Sequence, residues 1–344
     1  MFQVAFCVDT GYLKHKAGIL ISFSGSLMPQ STPPPALALL GPTAAGKTAL
    51  ALALAEQLPL EIVSLDSALI YRGMDIGTAK PTSAERTAVP HHLIDIINPP
   101  QSYSVADFLD DCLRLCREIH ARGRLPLIVG GTMMYYHALV NGLNSLPAAN
   151  PEIRRQLQEQ KQQHGLPHLY AQLQQADPAT AARLKPGDSQ RIERALEVWL
   201  LTGRPLSQHF AEQPGATPML SLRSITMIPA QRERLHHNIE QRFHAMLEQG
   251  FLEEVRQLQA QYPELNPDYP AVRCVGYRQA WAYLQGETDR NTFIAQGIAA
   301  TRQLAKRQLT WLRKLPADLV IDPFSGSLRQ HSQTLHSFCR QHFA

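Results

Sequence analysis

Eight residues, Gly41-Pro42-Thr43-Ala44-Ala45-Gly46-Lys47-Thr48, match G-x-x-x-x-G-K-[ST] at every fixed position, and they limit the fold more than anything else in the chain. Such a loop works only where a strand delivers the chain to it and a helix leaves it. Its glycines let successive backbone N–H groups turn inward around an anion, the helix N-terminus adds partial positive charge, and the lysine reaches the outer phosphate oxygens. Both flanks are present. Ala36 to Leu40 is a short apolar run that reads as a buried strand, and Lys47 to Leu58 is an alanine- and leucine-rich helical stretch that stops at Pro59.

Four more apolar runs read as buried strands: Glu61 to Leu65, His92 to Ile96, Leu125 to Val129 and Leu222 to Ile228. Helical patterns separate most of them. Alternation of this kind predicts an α/β fold, a P-loop NTPase-like parallel sheet with flanking helices on both faces. Between Val140 and Pro205 the strand signal disappears and glutamine-rich helical stretches take over, which predicts an inserted all-helical lobe. Asn150 can cap a helix beginning at Pro151, and another helix runs from near Asp188 to the stop at Gly203-Arg204-Pro205. On that helix Ile192, Leu196, Trp199 and Leu200 form one apolar stripe, with Arg191 and Arg194 off it. Further helices are expected from about Arg232 to Gln261 and from Asn291 to Leu315.

The 344 residues exceed what one small core absorbs, so we expect a P-loop core from 36–139 and 206–315 and an inserted helical lobe from 140–205. Residues 1–35 read as an extension, with Met28 ahead of a loose Ser/Thr/Pro stretch an equally good start, and 316–344 as a C-terminal tail with little signal. A hydrophobic fraction of 44% with 18% charged residues is globular, and no run reaches the roughly 18 apolar residues of a membrane span. Five scattered cysteines without a C-x-x-C pair read as reduced thiols of a cytoplasmic protein. Cys112 and Cys116, one helical turn apart, read as packing residues, as do Trp199, Trp281 and Trp311. The net charge of +4 permits a nucleic-acid partner without requiring one.

ATP, GTP and a diphosphate ester all present the same oxygens to such a loop, and Thr48 can ligate Mg²⁺ beside any of them. An ATP-using enzyme carries a metal-holding acid at the end of a buried strand. The strand Leu125 to Val129 instead runs into Gly130-Gly131-Thr132, while Asp66 and Asp95 end other strands and leave a small-metabolite kinase open. Asp66 is predicted to face the same crevice as the loop, either as a base or metal ligand, or as a turn-forming residue.

Asp66-Ser67-Ala68-Leu69-Ile70-Tyr71-Arg72-Gly73-Met74-Asp75-Ile76-Gly77-Thr78-Ala79-Lys80-Pro81, following the loop, resembles the bacterial tRNA dimethylallyltransferase family. Gly130 to Thr132, Gln190 to Glu197, Arg273 to Gln279 and Thr301 to Arg313 continue the likeness in the family's order, so that it spans about residues 36 to 315. The resemblance implies transfer of a dimethylallyl group from dimethylallyl diphosphate to N6 of the adenosine on the 3′ side of the anticodon, in tRNAs reading codons that begin with U.

On that likeness Gly41, Pro42, Thr43, Ala44, Ala45, Gly46, Lys47 and Thr48 hold the diphosphate with Arg242 and a Mg²⁺ on Thr48, and Asp66 removes the amine proton. Thr132 is implied to act beside the target base. Ser67, Ala68, Leu69, Arg154, Gln190, Arg191, Ile192, Glu193 and Arg194 are implied tRNA contacts. So are Arg273, Cys274, Val275, Gly276, Tyr277 and Arg278, where cations can neutralise phosphates while the Tyr277 ring stacks on a splayed base. Lys306, Arg307 and Arg313 complete the set on one helix. Without the likeness, Arg191, Arg194 and Arg242 would read as a solvated face. The family implies a monomer, and because chemistry on a base requires it out of its stack, the target adenosine is expected to flip into a channel between the lobes.

Overall fold

The computed structural model describes residues 33–143, 146–212 and 219–343. The expected N-terminal extension lies almost wholly outside these, as do Met28 and Cys7. In chain order the described elements are β1 (Pro35–Leu40), α1 (Lys47–Ala55), β2 (Leu60–Leu65), α2 (Ser83–Ala88), β3 (His91–His92), α3 (Val105–Ala121), β4 (Leu125–Gly130), α4 (Met133–Asn141), α5 (Pro151–His164), α6 (Leu166–Ala176), α7 (Pro178–Ala181), α8 (Ser189–Thr202), α9 (Leu206–Ala211), β5 (Ser221–Met227), α10 (Arg232–Glu248), α11 (Phe251–Gln261), α12 (Tyr277–Leu284), α13 (Arg290–Leu312), β6 (Leu319–Ile321) and α14 (Leu328–Phe343).

All strand pairs are parallel, in the order β3-β2-β4-β1-β5-β6. β1 is buried from Ala36 to Leu40 and alternates its side chains between two apolar layers. Ala36, Ala38 and Leu40 face the layer built by α3, α4 and α10 to α13, while Leu37 and Leu39 face α1 and α14. The chain leaves β1 toward one edge of the sheet and leaves β4 toward the other, so the switch point lies between these neighbours, where parallel sheets hold ligands. Register then does the positioning. Leu40 and Leu65 both pair with Gly130, so the loops that follow β1, β2 and β4 begin at one level.

The run expected as a strand from His92 to Ile96 forms only His91–His92. Past it Leu93 and Asp95 adopt left-handed backbone, with φ of 61° and 55°. The physical cause is the Asp95 carboxylate, which is drawn to the buried Lys80 ammonium and to Arg86 Nη1 at 2.6 Å. The helix expected from Arg232 to Gln261 is two helices, broken at Gly250, whose φ of 98° no other residue adopts without strain.

Residues 316–344, expected as a tail, belong to the core instead. β6 extends the sheet alongside β5, and α14 sets Leu335 and Cys339 against Leu50 and Leu54 of α1. The sequence hides this because β6 has only three residues and α14 is rich in histidine and glutamine.

Helices α5 to α9 enclose an apolar cluster of their own. Asn150 caps α5 as its sequence indicates, accepting the N–H groups of Glu152 and Ile153 at 2.9 and 3.1 Å. In α8 the buried face is Ile192, Ala195, Leu196 and Val198, while Leu200 is 45% exposed, because its position rotates past the edge of the stripe.

Candidate active site at the strand ends

The loop after β1 winds tightly over the start of α1, with Gly46 at φ 84° and Ala44 at φ 62°. Gly41 packs so closely that a Cβ there would meet Met227 Cβ at 3.0 Å. Lys47 folds back to donate to the Pro42 carbonyl at 2.8 Å. Burial pushes its ammonium down to about 8; the Asp66 carboxylate pulls the other way and Arg242 adds to the lowering. An ammonium held at that cost binds an arriving polyanion strongly.

Arg242 enters from α10 and donates through Nη2 to Thr43 Oγ1 at 2.5 Å. Burial lowers its guanidinium pKa too, against the pull of Asp66. Two desolvated cations and one carboxylate therefore share a small volume. Gln308 of α13, buried and unforeseen, ties the loops together: Thr43 N–H donates to its Oε1 at 2.9 Å, and its Nε2 donates to the Gly131 carbonyl at 2.9 Å. A Cβ at Gly131 would meet Gln308 Nε2 at 2.4 Å, so the glycine permits this bridge. The only signal was a glutamine within the Thr301 to Arg313 block, overshadowed there by its cations.

Asp66 is the first residue beyond β2. Its Oδ1 accepts the Ala68 N–H at 2.8 Å, so it does form a turn, and its carboxylate also lines the cavity. Thr132 caps the structure after β4: its N–H donates to Leu65 O at 3.1 Å and its Oγ1 accepts the Ser67 N–H at 3.1 Å, 3.4 Å from Ser67 Oγ. The cavity holds about 980 Å³. It brings together Thr43, Ala44, Gly46, Lys47, Thr48, Asp66 to Leu69, Thr132, Arg242, Arg273 to Gly276 and Arg307. Gly41, Pro42 and Ala45 lie buried beneath the loop. Cys274 keeps a neutral thiol, pushed up to about 12 by burial and then by Asp66.

Several expected contacts are elsewhere. Tyr277 cannot stack on a base: its ring is buried edge-on against Phe251 at 5.1 Å, and its hydroxyl donates to Glu254 Oε1 at 2.6 Å. Glu254 also accepts the N–H groups of Asp75, Ile76 and Gly77 at 2.8, 2.7 and 3.1 Å, so the pair braces the Asp75 to Gly77 turn on the cavity wall. Ile192 sits in the core of the helical lobe and offers nothing to a partner. Arg154 and Arg194 both clamp the buried Glu197, at 2.9 and 2.6 Å, and Arg194 also donates to the Pro147 carbonyl. Glu193 receives Lys161 and Gln158. Gln190 and Arg191 are exposed on the lobe, and Arg278, Lys306 and Arg313 are exposed outside the cavity lining. Trp311 is not a core anchor. It is 40% exposed at the cavity, edge-on to His137 with ring centroids 6.0 Å apart. Cys112 and Cys116 are buried, as their spacing indicates.

Among the described residues no cluster of three His, Cys, Asp or Glu could hold a metal by itself. Mg²⁺ does not need one. It keeps several waters and takes one or two protein oxygens together with substrate phosphates. Thr48 lines the cavity, and a threonine hydroxyl fits that use. No helix among the described residues is long and apolar enough to cross a membrane.

The model of the IPP transferase family matches residues 69–315, and that of isopentenyl transferase matches 35–95. A protein of Neisseria meningitidis serogroup A named tRNA dimethylallyltransferase is 65% identical over 292 residues, covering 85% of this chain and 93% of its own length. One of the same name from Paraburkholderia phymatum is 56% identical over 302 residues, covering 87% and 95%. The crystal structure of a full-length tRNA isopentenylpyrophosphate transferase from Bacillus halodurans superposes with a TM-score of 0.65 at 36% identity, covering 90% of this chain and 96% of that one. A eukaryotic dimethylallyltransferase acting on tRNA gives a TM-score of 0.72 at 26% identity, covering 84% and 74%. With a matching strand-loop-helix core, matching sequence blocks and these relatives, the chain belongs to the bacterial tRNA dimethylallyltransferase family, the IPP transferases.

Proposed function

We propose that this chain transfers the dimethylallyl group of dimethylallyl diphosphate to N6 of the adenosine 3′ to the anticodon, in tRNAs reading codons that begin with U, and releases diphosphate. The observation that carries the reading is the strand register, which sets the phosphate loop, Asp66 and Thr132 at one level around one cavity.

The allylic C–O bond breaks as negative charge gathers on the departing diphosphate. The backbone N–H groups of the loop, Lys47 and Arg242 stabilise that charge inside a partly desolvated site, Lys47 exchanging the Pro42 carbonyl for a phosphate oxygen. The N6–C bond forms as the amine loses a proton. An aromatic amine is a weak nucleophile because its lone pair is delocalised, and Asp66, facing the same cavity, is the group that takes the proton. Thr132 holds the Ser67 end of that turn in place. When bound, Mg²⁺ would add charge neutralisation on the phosphate oxygens at Thr48. Arg273 and Arg307 at the cavity, with Arg191 on the lobe, are placed for tRNA phosphates, while the target base leaves its stack to enter the cavity. On the family likeness the protein works as a cytoplasmic monomer.

Phosphoryl transfer from ATP fits less well. Gly130 and Gly131 stand where the metal-holding acid would end β4, and Asp95 is consumed by Lys80 and Arg86. The deciding assay combines the protein, Mg²⁺, dimethylallyl diphosphate and unmodified tRNA, with mass spectrometry for prenylated adenosine. Asp66→Ala is expected to lose turnover while keeping tRNA binding. Near wild-type turnover would remove Asp66 from the base role, and phosphorylation of a small molecule by ATP without prenylated product would overturn the function.

A further inference from the structure

One face of α10 carries Ile239, Arg242, Phe243 and Met246, at i, i+3, i+4 and i+7, and all four line the cavity. Arg242 bonds Thr43 of the phosphate loop, which fixes where the charged end of a ligand lies. The three other side chains lie within about 6 Å of it along the axis and are wholly apolar. A single helix thus presents a cation to a diphosphate and an apolar strip to whatever is esterified to it. A nucleoside triphosphate would bring a sugar and polar base edges to that strip.

The strip is closed by an aromatic knot. Phe243 lies 6.4 Å from Phe251 and 5.7 Å from Phe293, centroid to centroid. Gly297 of α13 lets its ring seat against that helix, since a Cβ there would meet Phe243 Cζ at 2.2 Å. Phe251 is pressed in turn by Gly77, where a Cβ would meet its ring at 2.2 Å. Each ring is thus seated directly on a glycine backbone and is blocked from moving in that direction. Met246, only 7% exposed, lines the same cavity.

We propose that Phe243 and Met246, backed by Phe251 and Gly297, set the prenyl chain length, admitting one isoprene unit and excluding a second. This rests on the transferase reading above and names the residues that give it chain selectivity. The reaction is unchanged for the longer donor: the same allylic C–O bond breaks, the same N6–C bond forms, and diphosphate leaves.

The test is a competition in one tube between dimethylallyl and geranyl diphosphates for unmodified tRNA, reading by mass spectrometry the ratio of geranylated to dimethylallylated adenosine. A ratio is insensitive to a general loss of activity. Wild type should favour dimethylallyl by at least about tenfold, the discrimination expected of even one misplaced methylene. Phe243→Ala should shift the ratio toward geranyl by about tenfold or more, and Met246→Ala, which leaves the aromatic knot in place, by a smaller factor in the same direction. A wild type that uses both donors equally overturns the proposal. So does an unmoved ratio in Met246→Ala together with an unmoved ratio, or failure to fold, in Phe243→Ala. Absence of any dimethylallylated product from wild type would instead overturn the transferase reading itself.

Discussion

Lys47 of the phosphate loop sits at about 8, lowered by burial ahead of the opposing pull of Asp66. Diphosphate arriving beside the ammonium must raise that value, because it supplies the counter-charge that burial removed. Binding is therefore coupled to proton uptake. At pH 7 the free lysine is already about 90% charged and uptake is about 0.1 proton; at pH 9 it is about 10% charged and uptake is about 0.9. Affinity for a diphosphate ester should fall about tenfold from pH 7 to pH 9, close to 1.4 kcal/mol. The ester contributes little to this trend, since phosphate groups complete their ionisation near pH 6. Titration calorimetry of the ester in two buffers of different ionisation enthalpy reads the proton count directly. Lys47→Met should bind weakly with no pH dependence across the same interval. Equal proton uptake at pH 7 and pH 9 in the wild type would refute the argument. The same shift has a stability counterpart of opposite convenience. The unfolded chain holds its lysine proton up to about 10.5 and the folded chain only to about 8, so ligand-free stability should rise with pH between those values, by an amount on the order of 3 kcal/mol.

Three further outcomes follow from packing and charge. Gly77→Ala places a Cβ 2.2 Å from Phe251 and 2.7 Å from Tyr277; overpacking of this kind should cost about 1–3 kcal/mol in a denaturant melt. Glu197→Ala strips the shared acceptor from Arg154, Arg194 and the Asn150 N–H, and should lower stability by about 1–3 kcal/mol with cleavage sites opening first in the helical lobe. Burial pushes Glu197 up but the bonds from Arg194 and Arg154 outweigh it, so its carboxyl lies below the usual range. That stabilisation is intact above the ordinary glutamate value and is lost as pH falls through the lowered one, so in the Ala variant the acid limb of a stability profile should flatten. Arg191→Glu, at a side chain 71% exposed, should weaken tRNA binding and reduce its salt slope by about one while leaving diphosphate binding alone; an unchanged slope in filter-binding titrations would take Arg191 off the interface.

What the sequence disclosed was whatever is encoded locally. The glycine-lysine loop, the apolar strands around it and the Asn150 cap each depend on neighbours within a few residues, and each stands where the pattern placed it. What it concealed depends on distant partners. Lys80 and Asp95 bend the chain out of a strand-like run. Tyr277 and Arg194, set in motifs that suggested outward contacts, are turned inward by the buried carboxylates of Glu254 and Glu197. Gln308 lies 265 positions from the Thr43 N–H it accepts. No periodicity announces such a pairing. The C-terminal helix is hard to read for a milder reason, since Leu335 and Cys339, with the half-buried Phe338 and Phe343, are scattered among polar residues.

A phosphate loop by itself does not choose between attack at phosphorus and attack at carbon. Both reactions gather negative charge on the same oxygens, and both benefit from the same N–H groups and lysine. The choice falls to what surrounds the loop. Attack at phosphorus requires a nucleophile beside the terminal phosphate and an acid-held metal to draw charge from it. Here the end of β4 is two glycines, kept bare because a Cβ at Gly130 would meet Leu65 O at 2.1 Å and one at Gly131 would strike Gln308. The space an acid would use is filled by the bridge that fixes the loop itself. The available carboxylate belongs to Asp66 just past β2, one strand further from β1 than β4, and α10 lines the cavity with Arg242 and an apolar strip. On the proposed reading, charge is held at one end of the ligand while its carbon end meets the apolar strip in the cavity that Asp66 also lines. That division of labour makes the loop a clamp for a leaving group rather than a site that transfers a phosphate.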